Sequence, residues 1–133
     1  MPPRFLFQNL KVYQRALDFA DQVSALAGAF ARPNWYLADQ LRRASLSVAL
    51  NIAESTGRLT GADRRRFLIM ARGSAHECVA LLDMCERRKL IPENRLTELA
   101  DCLEGIAKML AGMLNRLEDG SYVREEPDSY DVQ

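Results

Sequence analysis

Residues that ligate metals or activate nucleophiles are scarce in this sequence. His76 is the one histidine, so the His76–Glu77 pair has no second histidine to complete a His-Glu-x-x-His zinc site. The Glu-x-x-His pairs of a carboxylate di-iron bundle are absent as well. Three cysteines, Cys78, Cys85 and Cys102, make an odd number with no Cys-x-x-Cys spacing. Cys78 and Cys85 stand seven apart and share one helical face, which suits small core thiols. Ser45, Ser47 and Ser74 have only His76 as a candidate base, a thin basis for a Ser-His-acid site. No catalytic residue, metal ligand, cofactor or small-molecule substrate is therefore expected.

Long apolar runs are also missing. "FLIMA" and "LIP" are far too short to span a bilayer, and "MPPRFLFQNL" lacks the apolar centre of a signal peptide. The chain reads as cytoplasmic, without a membrane partner. Nor does any stretch alternate with the period of two that a strand requires. Net charge is missing too: 18 basic residues balance 18 acidic ones, so the total announces no nucleic-acid partner.

What is present is polarised. Between residues 32 and 72, eight arginines face Asp39, Glu54 and Asp63, a balance of +5, whereas from residue 118 onward the balance is −5. Fifteen of the 18 bases are arginine, the side chain suited to planar contacts with carboxylate or phosphate.

At 133 residues the chain is one domain's worth. Four helical patterns are separated by short punctuation. The first covers about 10–31, with Val12, Ala16, Phe19, Val23, Leu26 and Phe30 on one line, and "RPN" stops it. The second covers about 35–55 and ends at "STGR", where Gly57 can take the left-handed cap conformation. The third opens at "TGAD", with Thr60 capping the free amides and Asp63 returning the favour, and runs to about residue 88. Its seam is Leu68, Ala71, Ala75, Cys78, Leu82 and Cys85. The fourth follows "LIPEN", with Pro92 near its first turn and a leucine-rich seam from Leu96 to Leu117. Helices of this length joined by short loops imply an all-α, antiparallel up-down-up-down four-helix bundle over residues 1–119. Residues 120–133 read as an irregular acidic tail.

The stretch "LRRASLSVALNIAES" carries more apolar surface than one core face needs. Leu41, Ala44, Val48 and Ile52 form a core stripe, while Leu46, Ala49, Leu50 and Ala53 form a second stripe roughly opposite, with Arg42 and Arg43 at its edges. The third helix repeats the pattern with Ile69, Gly73, Ala80 and Met84. Leaving Leu46 and Leu50 in water would forfeit about 3–6 kcal/mol. Either these helices bury a wide arc, or they meet further copies of the chain.

"FQNLKVYQRA", "QLRRASLSVALNIAESTGR" and "FLIMARGSAHE" resemble the 23S ribosomal RNA intervening-sequence family, over about residues 7–91. Relatives of that family serve as accessory factors of diversity-generating reverse transcriptases. The resemblance implies an antiparallel four-helix bundle, a ring-like homopentamer and, by analogy with the basic accessory barrels, contact with nucleic acid and its polymerase. The family's usual glycine after "NIAE" is Ser55 here, and its glutamate-rich run after "GS" is thinned to "AHECV", keeping Glu77.

"DRRRF" is the sharpest lead. Arg64, Arg65 and Arg66 in a helix's first turn oppose the dipole, and phosphates held with Arg58 and Arg72 would compensate. Pairing with Asp63, Glu54 or the acidic tail would do the same. No aromatic residue is interleaved with these arginines, so backbone-directed binding is expected rather than base stacking. Asn51, Glu54 and Glu77 read as structural, with Asn51 satisfying a helix end or a neighbouring chain and Arg42 and Arg43 pairing with Glu54 or Glu77 across an interface. The expected protein is a non-enzymatic, self-assembling scaffold that contacts RNA or a nucleic-acid-handling partner. The alternative is an oligomeric protein-binding adaptor without nucleic-acid affinity.

Overall fold

The computed structural model describes residues 1–118, so the acidic tail expected over 120–133 lies outside the described residues. Four α-helices follow one another: α1 (Lys11–Ala27), α2 (Trp35–Thr56), α3 (Gly61–Arg87) and α4 (Glu93–Glu118), with 3-10 turns at Leu6–Asn9 and Arg32–Asn34. Each helix packs against its neighbours in sequence, and α1 closes the ring against α4. The short connections reverse the chain each time, giving the antiparallel up-down bundle.

The seams place the core. Phe19 and Val23 of α1, Leu41 and Ile52 of α2, Leu68 and Cys78 of α3, and Leu99, Ile106 and Leu110 of α4 are all fully or almost fully buried. The α2 arc is wider than its first stripe. Ala38, Ser45, Ala49 and Thr56 are buried beside Leu41, Ala44, Val48 and Ile52, so α2 hides roughly 140° of its circumference at 100° per residue. Ala49, placed on the second stripe by the sequence pattern, is 0% exposed and belongs to the core. The buried hydroxyls carry their own partners: Ser45 donates to Arg42 O (3.1 Å), Ser55 to Ile52 O (2.6 Å) and Thr56 to Ala53 O (2.7 Å). Ser55 therefore fits the position without an unsatisfied polar atom.

Two boundaries differ from expectation. The first helix ends at Ala27 rather than 31, because from Gly28 the backbone tightens, with Ala29 N bonding Leu26 O and Phe30 N bonding Ala27 O, both at 3.1 Å. That turn folds Phe30 back against the core. At the other end Gln8 Oε1 accepts the N–H groups of Arg4 and Phe5, and Phe7 meets Tyr13 edge-on at 5.1 Å.

The left-handed cap also falls elsewhere. Gly57 stays right-handed at φ −85°, while Lys89, just past α3, takes φ 54° and Leu90 N reaches back to Cys85 O at 2.9 Å. A side chain in that conformation costs energy that glycine avoids. Lys89→Gly is expected to raise stability by about 0.5–1 kcal/mol, read as a rise of a few degrees in Tm. A lowered Tm would show that the Lys89 side chain contributes more than its backbone costs.

Candidate nucleic-acid and assembly surfaces

The turn between α2 and α3 is built by its arginines. Thr60 Oγ1 accepts from Asp63 N (3.1 Å), the expected cap, whereas the Asp63 carboxylate meets Arg66 Nη2 at 3.4 Å. Arg64 Nε donates to Arg58 O at 2.9 Å and clamps the turn from within. Arg58 folds back on α2, with Nη2 3.0 Å from Glu54 Oε2 and Cζ 4.3 Å from the centre of the Phe67 ring. Arg66 Cζ lies 4.6 Å from the same centre.

Phe67 thus joins two of the five candidate arginines through cation–π contacts, contrary to the expectation that no aromatic residue is interleaved with them. The signal was the last letter of "DRRRF", one residue beyond the cluster. The five do not form a single patch. Arg58 and Arg66 gather on Phe67, while Arg65 and Arg72, seven apart, run along another line of α3; both are exposed. His76 continues that line, and its Nδ1–H donates to Arg72 O at 2.9 Å.

The α2–α3 register is fixed by the Arg58–Phe67 contact at one end and by Ser47 Oγ and Ser74 Oγ, 2.8 Å apart, near the middle. Asn51 Nδ2 donates to Ser47 O (2.9 Å) and Ser47 Oγ (3.0 Å), so Asn51 completes this half-buried seam rather than a helix end. Arg42 Nη2 donates to Ser24 O of α1 (3.1 Å), and Arg43 pairs with Asp39 (3.0 Å), so within the chain neither meets Glu54 or Glu77. Glu54 and Glu77 are exposed.

Outside the seam, Leu46 and Leu50 of α2 are 46% and 57% exposed, and Ile69, Gly73, Ala80 and Met84 of α3 are exposed as well. A Cβ added at Gly73 would meet nothing within 4 Å. Between α3 and α4 runs a separate groove of about 460 Å³ whose lining includes Val79, Leu82 and Ala100 together with Asp83, Glu86 and Glu104. Among the described residues, no three His, Cys, Asp or Glu side chains are grouped so as to hold a metal ion. No described helix is long and apolar enough to cross a membrane.

The buried thiols match the expected core role. Burial pushes the Cys78 thiol up to about 12, with the Glu77 carboxylate adding to the rise, and burial raises Cys85 and Cys102 as well.

The sequence model of the family described as "23S rRNA-intervening sequence protein" matches residues 8–112. No match was found among curated proteins. The chain is similar in fold to the crystal structure of a protein of unknown function from the S23 ribosomal protein family of Bacteroides thetaiotaomicron VPI-5482. That similarity has a TM-score of 0.69 at 22% identity, covering 77% of this chain and 97% of that one.

Proposed function

The chain belongs to the 23S rRNA-intervening sequence protein family, and from that premise we propose that it is a non-catalytic cytoplasmic scaffold that self-associates and contacts RNA or a nucleic-acid-handling partner. The observation that carries this reading is the turn into α3. Arg58, Arg64, Arg65 and Arg66 fall within nine residues that hold one acid, Asp63. Arg65, Arg66 and Arg72 are exposed residues of α3, and Arg65 and Arg66 stand close to its start, where a helix N-terminus favours anions. Phosphate is the anion that several separated arginines suit.

Self-association is supported by the outward strip of α2 and α3. A mid-helix glycine costs about 0.8–1.0 kcal/mol relative to alanine, and Gly73 has open space where alanine would fit. Close approach of a second surface is one use for it. A ring of five copies is the assembly implied by the family resemblance.

The second reading, an adaptor whose arginines bind acids alone, is favoured by the Arg58–Glu54 and Arg66–Asp63 pairs already present. Affinity for a structured ribosomal RNA fragment and a random duplex, measured across a salt series, separates the two. RNA contact predicts that affinity falls steeply as salt rises, since each phosphate contact releases counterions. Arg64, Arg65 and Arg66 changed together to glutamate are then expected to lower RNA affinity by about 10²-fold or more at low salt, with native mass unchanged. Absence of RNA binding at low salt would leave the adaptor.

A further inference from the structure

The other end of the α2–α3 pair carries a second basic surface, and this one is aromatic. Trp35 opens α2 with 65% of its surface exposed, and Tyr36 beside it is 42% exposed. From the end of α3, Arg88 reaches across to this pair. Its Nη1 donates to Asn34 Oδ1 at 2.9 Å and its Cζ lies 5.5 Å from the Tyr36 ring centre. Arg32, Arg87 and Lys89 flank these contacts and are exposed. Residues 32–36 and 87–89 together hold four cations, with Glu86 and Asp39 as the acids at their edges. Among the described residues, no carboxylate forms an ion pair with any of the four.

We propose that this end of the bundle binds single-stranded nucleic acid, with an unpaired base stacked on Trp35 and neighbouring phosphates held by Arg32, Arg87, Arg88 and Lys89. An indole left in water is a costly use of the largest apolar side chain, and a nucleobase offers a flat face to cover it. Four cations beside the ring suit a polyanion whose bases are unstacked, the pattern of surfaces that bind single strands. In a duplex the base faces are already covered, so the site favours unpaired segments. A bilayer surface fits less well. One and two turns beyond Trp35 on the exposed side stand Asp39 and Arg43, paired at 3.0 Å, where an interfacial helix would need apolar residues.

The surface shares only its ligand class with the arginines at the start of α3. The two lie at opposite ends of α2, roughly 30 Å apart at 1.5 Å per residue.

Trp35 is the only tryptophan, so its emission reports on the site directly. An unstructured twelve-residue oligouridylate titrated at low salt is expected to quench that emission saturably. The quench is expected to persist in the protein carrying Arg64, Arg65 and Arg66 changed to glutamate. Trp35→Ala, at an exposed position and checked for unchanged helicity, is expected to weaken binding of a fluorescein-labelled oligouridylate about tenfold, while Trp35→Phe stays within about threefold because a ring remains. The proposal is overturned by no oligouridylate binding, by binding without quench, or by parent affinity in Trp35→Ala. It is also overturned by loss of the quench in the triple glutamate protein, or by an emission change only with phosphatidylglycerol vesicles.

Discussion

Leu46→Glu combined with Leu50→Glu is expected to leave the bundle folded and to lower its native mass to that of one chain, 15.0 kDa. The two effects separate because of where the side chains stand. At 46% and 57% exposure, both positions keep an introduced carboxylate hydrated in the single chain, and surface changes of this kind usually stay within about 0.5 kcal/mol each. In an assembly packed through α2 and α3, the same carboxylates would enter an apolar contact, where a buried charge without a partner costs several kcal/mol. Ala49→Glu, one residue away, has the opposite outcome. Ala49 is fully buried, so a carboxylate there is expected to unfold the chain itself. Native mass spectrometry with circular dichroism reads both. A folded double variant that keeps the parent mass would move the interface to another face, and a parent that is already a single chain would remove it.

How far the sequence announced this arrangement varies with the range of the interaction. The α4 seam was legible because Leu99, Leu103, Ile106, Leu110 and Met113 recur at three and four and have no competing apolar side. Thr60 was legible because a cap acts three residues away. Ala49 was misplaced because alanine expresses no preference for core or surface, and the width of the buried arc depends on two neighbouring helices the pattern does not describe. The cap at Lys89 was missed for a related reason. The chain must reverse at once into Leu90 and Ile91, and that demand overrode the preference of the left-handed conformation for glycine. The arginines were visible as a cluster, yet their division was not. Whether Arg58 and Arg66 meet on Phe67 depends on the path of the α2–α3 turn, and the link between Arg88 and Tyr36 spans most of two helices. Composition located the charge, and tertiary register distributed it.

The Cys78 thiol carries the other large expected effect, a loss of stability at high pH. Its titration is raised in the fold from 9.0 to about 12, because burial opposes the thiolate and the Glu77 carboxylate adds to that opposition. A raised value means that the folded state holds the proton more tightly than the unfolded chain does. The contribution is therefore fully present below about pH 9 and is lost as pH climbs from there toward 12. The slope is about 1.4 kcal/mol per pH unit for one group. The parent's alkaline curve alone does not assign the effect to one group. Cys78→Ala isolates it. At pH 7 the substitution is expected to destabilise by about 1–2 kcal/mol through lost packing. By pH 10.5 the parent has lost about half of the thiol's contribution, about 2 kcal/mol, and the variant has none to lose, so their urea midpoints are expected to converge there and to cross at higher pH. Parallel midpoints from pH 7 to pH 10.5 would show that the thiol ionises without unfolding the seam, which would require water to reach the centre of α3.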